Sequence, residues 1–302
     1  MSLPLPSQHV PTRATTARVT AVQLAPTLLD LPGNARRTTT AIAAAVDAGA
    51  DVVVLPELAT SGYGLADEAE ARSVAVRADS AVLDGWAAAC RRRPGAVVVG
   101  GFCELGEDGR IHNSAAVVDG TGVRAVYRKA HLWDGERLLF SPGHAAPPVV
   151  ETAHGRISTL ICYDLSFPEW VRTAVLAGAD LLAVPTNWAL GSRPAGERPI
   201  GQVVAMAAAR SGHLVVVCCD RTGRERGLDW TEGTCVVGAD GWVLAEAGPG
   251  TATAWADVDL RASRDRRAGA LGDLLGDRRP ELYAAVSAPR LHLPEQREAV
   301  TV

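Results

Sequence analysis

The sequence predicts an α/β fold in which two pseudo-symmetric halves form a four-layer α-β-β-α sandwich. Short apolar runs alternate along the chain with longer stretches of helical periodicity, which is the pattern of α/β proteins. One segment, Gly49–Pro56, consists of a Gly-Ala-Asp triplet, four apolar residues and a proline, and it recurs as Gly178–Pro185. In each half a further strand and a hairpin come next, with turns at residues 119–122 and 238–241. Two such halves would each cover one sheet face with helices and pack the remaining sheet faces together.

The individual elements are predicted from these runs in order. Several strand candidates are nearly continuous in Val and Leu, as expected for strands covered on both faces. The predicted strands are Arg18–Leu24, Asp51–Leu55, Ala96–Phe102, Ser114–Val118, Val123–Arg128, Arg156–Ile161, Leu181–Val184, His213–Cys219, Thr234–Val237, Trp242–Ala245 and Ala252–Val258. Helical periodicity predicts four helices, Asn34–Ala48, Ser80–Arg92, Pro168–Leu176 and Ile200–Arg210.

Both halves lie within residues 17–260, which are predicted to form one domain of the size that can bury a large core. Residues 1–16 are polar and lack the apolar region of a signal peptide, so we expect a flexible leader. Residues 261–302 lie outside both halves and are rich in Arg, Asp and Pro. They are predicted to pack on the surface or on a partner subunit.

Composition excludes several classes of protein. The 302 residues include 30 basic and 34 acidic side chains, so the net charge of -4 gives no electrostatic footprint for nucleic acid. No apolar stretch approaches the ~20 residues of a membrane span. The six cysteines form no CxxC pair and no disulfide framework, which is typical of a reduced, cytoplasmic protein. The seven histidines show no HExxH motif or comparable metal-ligand spacing.

One residue count stands out, because Lys129 is the only lysine among the 30 basic residues. The other 29 are arginine, and a coding bias toward arginine explains much of this imbalance. Arginine serves a solvated surface as well as lysine does, but it cannot replace lysine where a compact ammonium or a movable proton is needed. Lys129 is therefore a candidate functional residue before any motif is considered.

Three candidate catalytic residues each come directly after a predicted strand, where the sites of α/β sheets gather. Cys162 would be a nucleophile, and Glu57 could take its proton and later activate water. Lys129 could stabilise the oxyanion of a tetrahedral intermediate. Cys162 also shortly precedes the helix predicted to begin at Pro168, and nearby positive charge and helix-terminal amides favour a thiolate. Together these residues predict a cysteine hydrolase.

The segments around these residues are Leu55–Leu58 with Ser61–Tyr63, Tyr127–Leu132 with Phe140–Gly143, and Ile161–Glu169. In order and spacing they resemble the general-base, lysine and nucleophile motifs of the nitrilase superfamily, the carbon–nitrogen hydrolases. The resemblance covers about residues 17 to 285. It implies the same α-β-β-α sandwich, assembled as a homodimer or larger homo-oligomer.

The resemblance also implies a reaction. An amide would be hydrolysed through a thioester on Cys162, without a metal or organic cofactor. The oxyanion would lie between Lys129 and the backbone N–H of Tyr163, and Glu136 matches a second glutamate that positions substrate and assists proton transfer. Tyr63, in the base motif, is expected among the substrate-binding residues.

The residues directly after the cysteine predict the substrate preference. Nitrile-hydrolysing relatives usually carry Trp-Glu there, whereas this chain has Tyr163-Asp164, which favours amides. Relatives that act on carbamoyl amino acids or dicarboxylate monoamides tend to place an arginine soon after, where this chain has Leu165 and Ser166. Arg224 or Arg226 could substitute from another loop, although surface charge is the simpler interpretation.

Tryptophans after or between strands are candidates for an apolar acyl pocket. These are Trp133, Trp188 and Trp230, of which the pair Asn187-Trp188 is best placed. The sequence therefore favours hydrolysis of a small, neutral, somewhat apolar carboxamide. Alternatives are a nitrilase, an N-carbamoyl amide hydrolase, an acyltransferase that uses the same thioester, and a catalytically idle sandwich that serves as a binding module.

Overall fold

The structure, a computed structural model, describes residues 16–288. The predicted leader and the end of the C-terminal extension, residues 289–302, therefore lie outside the described residues, apart from Thr16 at the leader's end. The described residues form two compact units, which divide between residues 266 and 267. The described part of the second unit contains two short 3-10 helices, Pro280–Leu282 and Ala284–Val286.

The first unit contains the strands and the α-helices. The strands are β1 Ala17–Gln23, β2 Val52–Val54, β3 Val97–Leu105, β4 Ile111–Asp119, β5 Gly122–Arg128, β6 Val149–Glu151, β7 Arg156–Thr159, β8 Leu181–Pro185, β9 Val215–Cys219, β10 Arg224–Glu225, β11 Leu228–Asp229, β12 Cys235–Val237, β13 Val243–Glu246 and β14 Ala252–Val258. The helices are α1 Leu31–Asp47, α2 Glu68–Val74, α3 Ala81–Cys90, α4 Pro168–Leu176 and α5 Ile200–Gly212.

Two six-stranded sheets carry the predicted repeat. One has the order β14-β1-β2-β3-β4-β5 and the other β13-β12-β9-β8-β7-β6. In each, three central strands run parallel, β1-β2-β3 and β7-β8-β9. Each half then ends in an antiparallel hairpin, β4-β5 or β12-β13, whose turn lies at the predicted position. The two pseudo-symmetric halves are therefore present.

Strand residues alternate between two cores, which gives the four layers. Val52 and Val54 of β2 pack with Val217 of β9 in a cluster between the sheets. Their neighbour Val53 faces the other way and packs with Trp86 of α3 under the helices of the first half. On the second sheet, α5 packs against β9 and β12. The α-β-β-α sandwich predicted from the sequence is confirmed.

The elements missed by sequence analysis have weak local signals. They are the three-residue edge strand β6, the seven-residue helix α2, and the β10-β11 hairpin. The hairpin strands read Arg-Glu and Leu-Asp and have no apolar alternation to mark them. Among the described residues, no helix is both long and apolar enough to cross a membrane.

The first unit extends slightly past the predicted domain end at residue 260. Arg264 lies within it and forms an ion pair with buried Asp180 at 2.8 Å. Arg266 also belongs to this unit and donates to the carbonyl of Gly212 at 2.7 Å. These two arginines attach residues 261–266 to the sandwich.

Strand β3 passes unusually close to the chain after β2, and Gly101 makes this approach possible. Its carbonyl accepts a hydrogen bond from the amide of Ala59 at 2.9 Å. A Cβ built on Gly101 would lie 2.5 Å from Cα of Glu57 and from the amide nitrogen of Leu58. Both are backbone atoms, so a side chain could fit only if the strand end moved.

We therefore expect Gly101→Ala to lower the free energy of unfolding by about 1–3 kcal/mol, the usual cost of overpacking a core. Chemical denaturation would measure this. Gly248→Ala is the control, because a Cβ at Gly248 meets no atom within 4 Å. It should change stability by less than about 0.5 kcal/mol. Equal stability of the two variants would contradict the prediction.

Candidate active site

The predicted catalytic residues meet at one end of the sandwich, each just beyond the carboxyl end of a strand. Glu57 comes after β2, Lys129 directly after β5, and Cys162 after β7. Asn187 comes after β8 in the same way. Glu136 lies in a 3-10 helix, Asp134–Leu138, that comes after β5.

Lys129 joins two carboxylates inside the protein. Its Nζ donates to Oε1 of Glu57 and to Oε1 of Glu136, both at 2.7 Å. All three residues are buried, with 5% exposure or less. Burial by itself would lower the pKa of Lys129, but the two carboxylates outweigh this and hold its pKa above the ordinary value. The lysine therefore stays charged.

Glu57 has one engaged and one unpartnered carboxylate oxygen. Oε1 accepts from Lys129 and from Nδ2 of Asn113 at 2.7 Å. Oε2 is buried and has no hydrogen-bond partner among the described residues. Burial raises the pKa of Glu57 to about 7, with Lys129 opposing the shift and the charge of Glu136 adding to it. Glu57 can therefore accept a proton near neutral pH.

Cys162 begins a 3-10 helix, Cys162–Ser166, and has a left-handed backbone conformation with φ of 47°. Burial raises the pKa of its thiol well above the ordinary value, and the charge of Glu57 raises it further. Lys129 and a hydrogen bond from the backbone of Asn187 lower it only in part. Burial and the neighbouring carboxylates thus outweigh the positive charge and the helix amides that favour a thiolate, and they favour the neutral thiol.

Asn187 connects the two halves at the site. Its Nδ2 donates to the backbone carbonyl of Glu57 at 2.8 Å, while its backbone contacts the thiol of Cys162. The amide of Glu57 in turn donates to the carbonyl of Thr186 at 3.4 Å. The residue predicted to bind substrate thus also holds the base and the nucleophile in register.

Tyr63 lies behind Glu136. Its hydroxyl donates to Oε1 of Glu136 at 2.8 Å, and the amide of Trp133 donates to Oε2 at 3.0 Å. Burial raises the pKa of Tyr63, and the nearby Glu136 and Glu57 raise it further, so it remains a neutral donor. The structure therefore shows Tyr63 orienting the second glutamate.

Asp164 explains why the lysine and nucleophile segments occur together. This buried carboxylate accepts from the Tyr127 hydroxyl at 2.8 Å, the His131 amide at 2.9 Å and the Ile161 amide at 3.1 Å. It thus joins residues on both sides of Lys129 to the residue before Cys162. Sequence analysis considered Asp164 only as a marker of substrate class and missed this role.

A buried ion pair supports Tyr63 from the second half. Oε2 of Glu225 accepts from the amides of Tyr63 and Gly64 at 2.8 and 2.6 Å. Oε1 of Glu225 accepts from Arg221 at 2.9 Å. The Arg221 guanidinium lies 4.6 Å from the ring centroid of Trp230, and that ring meets Tyr63 edge-on. Trp230, a candidate for the acyl pocket, therefore packs behind Tyr63.

The two arginines considered as substitute carboxylate anchors point elsewhere. Arg226 pairs with Glu70 at 2.6 Å on the surface. Arg224 is exposed and lies 3.7 Å from Asp229. Both act as surface charge.

A pocket of about 790 Å³ opens over Cys162. The backbone amide of Tyr163 lies in the first turn of a 3-10 helix, where amides lack an intrahelical partner. Apolar side chains dominate the walls, and several near the mouth are exposed. Lining residues from the predicted set are Trp133, Cys162, Tyr163, Asn187 and Trp188, with Leu165, Leu190, Ile200 and Val203 adding apolar surface. Within residues 16–288, no group of His, Cys, Asp and Glu is arranged to hold a metal ion.

The Arg221–Glu225 pair allows a direct test of its structural role. Glu225→Gln would leave the buried Arg221 guanidinium without its charge partner, which typically costs about 3–5 kcal/mol. Glu70→Gln is the matched control, because Glu70 pairs with an arginine on the surface, where such pairs contribute about 1 kcal/mol or less. Chemical denaturation should show the larger loss for Glu225→Gln. A loss no greater than that of the control would contradict the role.

Known proteins resemble this chain over most of its length. The family model for "Carbon-nitrogen hydrolase" matches residues 18–268. A protein named "Nitrilase" from Pyrococcus abyssi is 32% identical over 268 residues, covering 88% of this chain and 98% of that protein. An "(R)-stereoselective amidase" from Pseudomonas sp is 35% identical over 263 residues, covering 87% and 91%. A solved amidase from Nesterenkonia sp. superposes with a TM-score of 0.75 at 28% identity, covering 93% of this chain and all of that one.

The ordered motifs, the duplicated sandwich and these similarities agree with one another, and the chain belongs to the carbon–nitrogen hydrolase family of the nitrilase superfamily.

Proposed function

We propose that this hydrolase is an amidase that cleaves small, neutral carboxamides with an apolar acyl group, releasing the acid and ammonia through a thioester on Cys162. The observation that carries the proposal is the free Oε2 of Glu57 in a buried Lys129–Glu136 cluster beside Cys162. A cysteine nucleophile, a base with a pKa of about 7 and a fixed ammonium supply the groups that acyl transfer needs.

Acylation begins with a neutral thiol. As Sγ of Cys162 forms its bond to the amide carbon, the thiol proton moves to Oε2 of Glu57. The carbonyl oxygen becomes an oxyanion, which Nζ of Lys129 and the backbone N–H of Tyr163 stabilise. The tetrahedral intermediate then collapses to the thioester. The C–N bond breaks, and the leaving nitrogen takes the proton from Glu57, so that ammonia departs.

Deacylation uses the same groups in reverse. Glu57, again a carboxylate, takes a proton from water as the water oxygen attacks the thioester carbon. The second oxyanion is stabilised by Lys129 and Tyr163. Its collapse breaks the C–S bond and releases the acid, and the proton on Glu57 returns to the sulfur of Cys162. Glu136 keeps Lys129 in place and, with Tyr63 fixed against it, contributes to orienting the substrate.

The pocket supports the assignment to an apolar acyl group. Its walls carry Trp133 and Trp188, and Leu165 stands where carboxylate-binding relatives tend to carry arginine. At the rim of the pocket, Arg198 forms an ion pair with Glu246. The rim also carries Arg193 and Glu197, whose charges are opposite in sign. Together these features favour a neutral substrate. That the chain acts as a homodimer or larger homo-oligomer in the cytoplasm stays a prediction.

An ammonia-release screen over aliphatic, aromatic and ω-carboxyl amides, carbamoyl compounds and nitriles tests the proposal. We expect aliphatic and aromatic amides to be the best substrates. Cys162→Ala should keep its fold, checked by circular dichroism, and release no ammonia from any of them. Full activity of that variant would contradict the mechanism, and preference for nitriles over the corresponding amides would contradict the substrate class.

The pKa of Glu57 should set the midpoint of the acidic limb in the pH profile of kcat/KM. Because Glu57 must be ionised to accept the thiol proton, kcat/KM should fall as the pH drops below about 7. Asn113 donates to Glu57 and lowers its pKa. Asn113→Leu removes this stabilisation of the charged form, so the limb should move to higher pH. Profiles of kcat/KM measure both midpoints, and an unchanged or lower midpoint in the variant would contradict Glu57 as the base.

A further inference from the structure

We infer that two glycines, Gly201 and Gly233, fix the indole ring of Trp188 and thereby set the size of the acyl group that the pocket accepts. The inference rests on the proposed amidase function and adds a determinant of specificity to it. Trp188 is half-buried and lines the pocket with Cys162. Gly201 is the second residue of α5, and Gly233 precedes β12.

The backbone of Trp188 is held on both sides. Its amide donates to Oδ1 of buried Asp220 at 2.9 Å. Its carbonyl accepts from the amide of Thr231 at 2.8 Å. Since the main chain is fixed at both its donor and its acceptor, the ring can change position mainly by rotating about its side-chain bonds.

The two glycines occupy the space beside the ring. A Cβ built on Gly201 would lie 2.5 Å from Cε2, 2.6 Å from Cζ2 and 2.7 Å from Cδ2 of Trp188. One built on Gly233 would lie 2.9 Å from Cε3 and 3.0 Å from Cζ3. The backbone thus contacts two edges of the six-membered ring at distances that leave no room for a methyl group. We refer to this arrangement as the glycine slot.

The walls of the glycine slot are tied to the same carboxylate that holds the tryptophan. Oδ2 of Asp220 accepts from the amide of Gly233 at 2.9 Å. The neighbour of Gly201, Gln202, donates from Nε2 to the carbonyl of Gly233 at 3.3 Å. Asp220 therefore positions both the ring and one wall, and Gln202 links the other wall to it.

A side chain at either glycine would move the ring toward the open side, which is the pocket over Cys162. The displaced indole would fill space that a bulky acyl group needs, whereas a one-carbon acyl substituent would still fit. Gly201→Ala should keep the fold, because alanine is a better helix former than glycine in α5. The substitution therefore separates the size of the substrate from the chemistry.

The test compares kcat/KM for phenylacetamide and acetamide, by ammonia release, in the wild type and variants. Gly201→Ala should lower the phenylacetamide-to-acetamide ratio by about 10-fold or more, the scale at which an apolar pocket discriminates size. Gly233→Ala should act in the same direction. Gly248→Ala is the control, since Gly248 lies outside the pocket lining and a Cβ there meets no atom within 4 Å. It should leave the ratio within about 2-fold.

A second comparison isolates the ring. In a Trp188→Phe background the smaller side chain leaves room for the methyl group, so adding Gly201→Ala should no longer change the ratio. Such loss of an effect is what direct contact between two residues predicts.

The outcomes distinguish a failure of the glycine slot from a failure of the proposed amidase function. A wild type that cleaves neither amide contradicts the proposed amidase. If the wild type cleaves both and Gly201→Ala leaves their ratio unchanged, or lowers both rates equally, the glycine slot is wrong while the amidase stands. A full effect of Gly201→Ala in the Trp188→Phe background would also overturn it.

Discussion

The ammonium of Lys129 lies between the carboxylates of Glu57 and Glu136, and the rest of the site is arranged around this shared charge. Two buried negative charges and one positive charge leave an excess of one negative charge in the interior. That excess, with burial, raises the pKa of Glu57 to about 7. The same environment keeps Cys162 a thiol, so proton transfer accompanies attack. A planar arginine fork could not lie 2.7 Å from both carboxylates through one nitrogen and still face an oxyanion.

The fold produces this arrangement because the two halves meet at strand ends. The first half supplies Glu57, Lys129 and Glu136, and the second supplies Cys162. Hydrogen bonds across the junction keep the halves in register, notably the one from Asn187 to the carbonyl of Glu57. Glu225 does the same for the loop of Tyr63, which in turn orients Glu136. The packing of the two sheets thus fixes the distances between the catalytic residues at one end of the sandwich.

The sandwich and the three catalytic residues can be predicted from the sequence because both produce patterns within short stretches of the chain. The apolar strands are continuous, the repeat keeps its order, and Glu57, Lys129 and Cys162 each come just after a strand. The features that the sequence did not predict depend on distant contacts. Glu225 reaches Tyr63 from 162 positions away, through a hairpin without a hydrophobic pattern. The protonated state of Cys162 depends on burial and on carboxylates from other segments, and neither can be read from its neighbours in the chain.

Burial and the charge of Glu136, opposed by the shared ammonium of Lys129, give Glu57 a proton affinity near neutrality. Infrared difference spectroscopy during a pH titration measures this affinity, with Glu57→Gln subtracted to isolate the carboxyl group. The C=O stretch of a protonated carboxylic acid should disappear as the pH rises, with a midpoint near pH 7. A carboxyl group that is fully ionised down to about pH 5, close to the ordinary behaviour of glutamate, would contradict it.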